Sequence, residues 1–165
     1  MESSIKSETL PLNDNWNMYV HLHNNNDWSI DSYKKIGQIT DVRNAILLND
    51  EINYDLIKKS MIFIMKNESL PIWEDKTNIK GGCFSFKILN KYIEKIWKEM
   101  FFRIIGCTIT ENKIIHDNIN GITLSPKKNF CILKIWMKTC EYQDPDVFVD
   151  IDGCSKQGCL FKKHS

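Results

Sequence analysis

From Trp16 to His23 the chain alternates, with Trp16, Met18, Val20 and Leu22 set against Asn17, Tyr19, His21 and His23. A period of two predicts a half-buried strand with the first set inward. The run NNND then breaks the pattern and leaves Trp28 on a loop. Residues 40–49, TDVRNAILLN, open with a Thr-Asp capping signal and read as a short helix. SMIFIMK, residues 60–66, is a compact apolar strand, and the loop after it is bracketed by Pro71 and the pair Gly81, Gly82. CFSFKI resumes alternation, with Phe84, Phe86 and Ile88 on one face. Ile93, Ile96, Trp97, Met100, Phe101 and Ile104 then recur at helical spacing, and Gly106 stands where a helix stop belongs. NINGITLSP and NFCILKIWMK supply two further strands; in the second, Ile132, Lys134 and Trp136 share a face. Residues 1–14 lack periodicity and read as a flexible arm ahead of one domain over 15–165.

This order of elements, without regular strand-helix alternation, indicates an α+β fold with a mostly antiparallel sheet backed by helices on one face. A length of 165 residues suits one domain with a real core. No apolar run approaches the roughly 18 to 20 residues of a membrane span, so no membrane partner is expected. The polar opening MESSIKSETLPLNDN favours a cytosolic or nuclear address over secretion. A formal net charge of +1 argues against bulk, charge-driven nucleic-acid binding and leaves room only for a few placed cations. Nucleophile elbow, P-loop, HExxH and kinase motifs are all missing, so nothing in the sequence argues for an enzyme or a cofactor.

Six cysteines in such a chain read as reduced, mostly buried small hydrophobes. Cys154, Cys159 and His164 are spaced five and five apart, whereas structural zinc sites favour tight C-x2–4-C pairs and four ligands, so unpaired thiols are the plainer reading. Asp144, Asp146, Asp150 and Asp152 lack the ligand order and closing Glu of a calcium loop and read as a solvated turn.

The most informative stretch is LPIWEDKTNIKGG, residues 70–82, where a tryptophan and two carboxylates, Trp73, Glu74 and Asp75, stand on a loop. A large ring on a loop either folds back into the core or waits for something flat. Taken singly, Trp28, Trp73 and Trp136 would each be read as packing residues; Trp16 and Trp97, in phase with their strand and helix, are core. PIWED followed by N and KGG, together with LPLNDNW, IIG at Ile104–Gly106 and KIW ending at Trp136, resembles the mRNA cap-binding translation initiation factor 4E family from Leu10 to about Tyr142.

The resemblance implies a curved sheet with helices on its convex face and a cleft on its concave side. It implies that the 7-methylguanine base of an mRNA cap is sandwiched between Trp28 and Trp73, that Glu74 accepts from the guanine donor pair, and that Trp136 closes on the methyl group. The chemistry suits those side chains: a methylated guanine carries a delocalised positive charge and gains a cation–π term beyond stacking. A carboxylate can accept both guanine N–H donors. For the phosphates the matching positions give Lys127, and Lys134 two residues before Trp136 where the family has its cation four before, at Ile132. Cys83 stands where the family has a basic residue. Lysine supplies charge without the planar fork of arginine. Ser155 and Lys156 match a loop that brushes the second nucleotide, and Asp75 is expected to order its own loop. A dorsal surface matching Pro11, Val42, Ile46, Lys98 and Phe102 is expected to hold a scaffold or 4E-binding-type protein. Ile46 there replaces a tryptophan, and Lys98 a leucine. The implied role is recruitment of capped mRNA for translation, the alternative a cap-binding repressor or competitor without normal scaffold binding.

Overall fold

Alternation sorts β1 (Pro11–Leu22) onto two faces, burying Trp16, Met18 and Val20 on one and His21 and Asn17 on the other. The structure is a computed structural model describing residues 9–165. Its remaining strands are β2 (Lys34–Asp41), β3 (Ser60–Lys66), β4 (Gly82–Leu89), β5 (Ile119–Pro126), β6 (Phe130–Met137) and β7 (Leu160–Lys163). They form one antiparallel sheet in the order β2-β1-β3-β5-β6-β4-β7, bent by register shifts in the β1–β2 and β5–β6 pairs. Helices α1 (Val42–Asp50), α2 (Tyr54–Lys59), α3 (Ile93–Ile105) and α4 (Lys113–Asp117) complete the fold. No described helix is long and apolar enough to cross a membrane.

The core lies between the helices and one face of the sheet. Seven α3 residues, Ile93, Ile96, Trp97, Met100, Phe101, Ile104 and Ile105, are buried there against Phe84, Phe86, Ile88 and the inward side chains of β1. At about 1.5–3 kcal/mol for each fully buried large side chain, this packing outweighs anything intrinsic helix propensity supplies. The opposite face carries a separate small cluster of Phe63, Met65, Cys83 and Trp136, with Tyr19, Tyr33 and Met61 packed on it.

One expectation needs correction. Residues 11–14 are not an arm, because β1 begins at Pro11; residues 1–8 of that expected arm lie outside the described residues. Gly106 closes α3 as expected, at φ −90, with the left-handed turn on Cys107 at φ 60; a side chain at Gly106 would crowd the Phe102 carbonyl. β2, α2, α4 and β7 were not read from the sequence. The helix expected over 40–49 forms over Val42–Asp50, with the Asp41 side chain accepting from the Asn44 N–H at 2.8 Å as its N-cap.

Candidate functional site

Strand pairing aligns two rows of side chains on the face opposite the helices. One row runs Met65, Gly121, Trp136, Cys83, Lys162, and the next runs Phe63, Thr123, Lys134, Ser85, Leu160. Trp136 is pinned in its row, for its Nε1–H donates to Thr123 Oγ1 at 2.7 Å and its ring meets Phe63 edge-on at 6.4 Å. Above these rows opens a cleft of about 560 Å³ lined by Trp28, Trp73, Glu74 and Trp136, with Lys134, Lys162, Lys163 and His164 on its wall. Three distant parts of the sequence, at Trp28, Trp73–Glu74 and Trp136, thus reach one cavity.

The loop bearing Trp73 is built around Asn78, which has no exposed surface. Its Nδ2 donates to the Leu70 and Ile72 carbonyls at 2.9 Å each, and its Oδ1 accepts from Asn120 Nδ2 at 3.0 Å. Asp75 accepts from the Thr77 N–H at 3.2 Å and from the Thr77 hydroxyl, so it orders the loop from within. The double glycine has a steric cause. A Cβ at Gly81 would overlap the Met137 carbonyl oxygen, and one at Gly82 would lie 2.5 Å from the Lys162 carbonyl. Trp73 itself is left 46% exposed on this rigid frame. Among the described residues Glu74 makes no side-chain hydrogen bond or ion pair, so its acceptor oxygens are free. Its charge reaches Tyr33, whose pKa is raised first by burial and then by Glu74, while that of Tyr19 is raised by burial and then Asp75.

Trp28 is 57% exposed, and one face of its indole stacks on His21 with centroids 4.1 Å apart and planes within 6°. His21 Nε2–H donates to the Asp27 carbonyl at 2.7 Å, which holds the imidazole flat beneath the loop. Ser29 N–H donates to Asp27 Oδ1 at 2.9 Å, fixing the turn before it and lowering the Asp27 pKa. His21 escaped notice as a site residue, although the period-two pattern already put it on this face.

The C-terminal end closes the site, which sequence reasoning missed. β7 pairs with β4, and His164 N–H donates to the Gly81 carbonyl at 2.9 Å. His164 Nδ1–H donates to the Asn78 carbonyl at 2.8 Å, so Nε2 is left to accept from the Cys83 thiol at 3.1 Å. Burial pushes the Cys83 thiol up to about 12 against a smaller downward pull from Lys134, so it remains a neutral donor.

Several expected residues lie elsewhere. Lys127 does not line the cleft and is exposed at the β5–β6 turn, its N–H on the Phe130 carbonyl at 2.8 Å. Ser155 and Lys156 do not line the cleft: Lys156 Nζ is held by Asp150 at 2.9 Å and by the Phe148 carbonyl, beside core residues Phe86 and Met100 on the helix-covered face. Ser155 is exposed and caps its own turn by accepting from Gln157 N–H at 3.1 Å. Cys154 and Cys159 pack on that same side, so they do not converge with His164. Among the described residues the nearest approach to a metal-ligand set is Asp14, Cys107 and His116, and there the Lys66 ammonium already stands 3.9 Å from Asp14.

On the dorsal side Val42 and Ile46 of α1 line a depression of about 290 Å³ together with Leu10 and Leu47, both unforeseen and both about 60% exposed. Pro11 is exposed beside it and Phe102 is half-buried against the core. Lys98 lines a different groove with Glu94, Trp97 and Asn49, so it does not interrupt the apolar patch.

The sheet thus carries helices on one face and, on the other, a cleft that gathers exposed indoles, a free carboxylate and lysines. The particular family follows from the sequence: the chain matches the family model "Eukaryotic initiation factor 4E" over residues 11–160 and belongs to that family. It is 30% identical to eukaryotic translation initiation factor 4E of Saccharomyces cerevisiae over 154 residues, covering 89% of this chain and 69% of that protein. It is 29% identical to the Candida glabrata factor over 138 residues, covering 79% of this chain and 64% of the relative. The chain thus spans about two thirds of the length of these relatives. A solved complex of C. elegans eIF4E-3 with the 4E-binding protein Mextli and a cap analog shares the fold, with a TM-score of 0.72, 20% identity and coverage of 84% of this chain and 80% of that one.

Proposed function

We propose that this protein binds the 7-methylguanosine cap of mRNA and recruits capped mRNA for translation initiation, as a binding factor in the cytoplasm with no chemical step of its own. The observation that carries the reading is the convergence of Trp28, Trp73, Glu74 and Trp136 on one cleft. A base stacked on each indole gains roughly 1–3 kcal/mol. The methylated ring adds a cation–π contribution of about 2 kcal/mol once desolvated. Glu74, unpaired among the described residues, takes the guanine N–H pair, and Trp136, fixed by Thr123, forms the floor beside the methyl group.

The dorsal depression at Leu10, Val42, Ile46 and Leu47 supports a second contact, with a scaffold or 4E-binding-type partner that inserts apolar side chains. That surface favours the initiation role over a repressor lacking a scaffold site, and rescue of translation in cells depleted of their own factor separates the two.

Tryptophan fluorescence titration tests the cap reading. The protein is expected to be quenched by a 7-methylated cap analogue far more strongly than by the unmethylated one. Glu74→Ala, Trp28→Ala and Trp73→Ala are each expected to cost tenfold or more in affinity, about 1.4 kcal/mol per decade. Equal affinity for methylated and unmethylated analogues would refute the sandwich.

A further inference from the structure

His116 on α4 is only 3% exposed, and neither of its ring nitrogens finds a hydrogen-bond partner among the described residues. A neutral imidazole carries one N–H donor and one lone pair, and burying both unused is costly. Its Nε2 lies 3.9 Å from Asp14 Oδ2, beyond hydrogen-bond reach. Cys107, in the left-handed turn after α3, completes a set of one carboxylate oxygen, one sulfur and one ring nitrogen that all lie within 4.8 Å of one another. We propose that Asp14, Cys107 and His116 form a binding site for a divalent transition-metal ion of the zinc type. None of the three lines the tryptophan cleft, so the site is independent of the cap reading.

The donors suit that metal. Zinc takes thiolate, imidazole and carboxylate ligands at about 2.0–2.3 Å, which sets tetrahedral ligand atoms roughly 3.3–3.7 Å apart. The Asp14–His116 separation is already close to this, and the longest edge of the set closes with about 1 Å of side-chain movement. Magnesium and calcium, which prefer all-oxygen ligands, are disfavoured by the sulfur and the imidazole. Asp14 Oδ2 accepts from Asn13 Nδ2 at 3.1 Å, whereas its Oδ1 takes no hydrogen bond among the described residues and is free to turn inward. Three ligands leave a fourth position, and Asp14 stands on the wall of a polar groove of about 810 Å³ that gives water access to it.

Lys66 is the competitor, with its ammonium 3.9 Å from Asp14. It has other partners, for it donates to the His116 carbonyl at 3.1 Å and stands over the Trp16 ring at 5.4 Å. Metal binding converts the Cys107 thiol to a thiolate, its proton passing to solvent. Thiolate and carboxylate together neutralise a divalent ion, so Lys66 then faces a site of no net charge. It lowers the affinity without excluding the metal. The three ligands come from the start of β1, the turn after α3 and α4, so a bound ion cross-links three separate segments.

The test is titration of the full chain, stripped of metal with a chelator and kept reduced, with Zn2+ and with Co2+. One equivalent of Zn2+ is expected to bind and to raise the thermal midpoint by roughly 5–10 °C at a free concentration about 100-fold above Kd. Co2+ is expected to give a thiolate-to-metal charge-transfer band. Cys107→Ser should abolish that band and, like Asp14→Asn, weaken Zn2+ at least tenfold, whereas Cys140→Ser and Cys159→Ser should leave both readings unchanged. Asp14 and Cys107 are half-buried rather than core, so both variants should fold, which far-UV circular dichroism checks. A midpoint insensitive to Zn2+, a cobalt spectrum without the thiolate band, or a band that survives Cys107→Ser would each overturn the proposal.

Discussion

Replacing Asn78 by alanine removes the support under Trp73 without touching any residue that faces ligand. Asn78 is fully buried and satisfies the Leu70 and Ile72 carbonyls and the Asn120 amide at 2.9, 2.9 and 3.0 Å. The two carbonyls belong to half-buried residues that water can partly reach, and Asn120 Nδ2 keeps the Thr77 carbonyl at 2.7 Å. A buried group left without a partner costs about 1–3 kcal/mol, so three weakened partners place Asn78→Ala near 2–4 kcal/mol. That is a large share of a typical total of about 5–15 kcal/mol. The loss falls first on the loop, so the fraction of molecules presenting Trp73 correctly declines and the apparent dissociation constant rises by the inverse of that fraction. Urea denaturation should show the lower midpoint, amide exchange at Asn78, Ile79 and Gly81 should lose protection, and cap titration should show weaker binding with an unchanged quench at saturation. Asn78→Asp, which keeps the shape and loses both donors, should share the exchange phenotype. Stability within about 0.5 kcal/mol of the parent, or loop amides still protected, would refute the claim that this side chain holds the loop.

Gly81→Ala forces a methyl into the Met137 carbonyl, and because the obstacle is backbone the variant should lose several kcal/mol or fail to fold, seen as a collapsed thermal midpoint. His116 has a pKa lowered first by burial and then by Lys66. The unfolded chain therefore takes up the proton first as pH falls below the ordinary value of about 6.5, and stability present above that value declines towards pH 5. A His116→Leu variant should flatten that decline in thermal melts, and an unchanged slope would assign it to other groups. Leu47→Asp on α1 should weaken capture of a helical 4E-binding peptide at least tenfold in calorimetry while leaving cap titration unaltered, since α1 packs on the helix-covered face.

The sequence was legible wherever burial imposed a period. β1, β3, β4, β6 and α3 carry their inward side chains at spacings of two or 3.6 because one face of each meets the core, and the same phase put Lys134 and Trp136 together on the other face. β2 was hidden for the converse reason: KKIGQITD is an edge strand in which only Ile39 is fully buried, so little forces a pattern on it. β7 is hidden in the same way, four residues long with only Phe161 turned into the core. Asp41 and the double glycine were readable because their roles are local. Asn78 was not, because its partners at Leu70 and Asn120 come together only after β5 is in place.

The residues that escaped prediction are those that join parts of the chain. His21 lies under Trp28, His164 links the last strand to the Trp73 loop, and Lys162 reaches the cleft from a strand that shows no periodicity. Each is an ordinary polar residue in sequence, and each gains its role from a neighbour 7 to 86 positions away. The rings that would meet a base are therefore marked in the sequence by their type and their loops. The groups that aim those rings are marked only by the sheet order, in which β6, β4 and β7 lie side by side although forty residues separate β4 from β6. A departure such as Cys83 is consequently no proof of a lost site. The adjacent strand presents Lys162 on the same face of the sheet, one ladder step from Cys83.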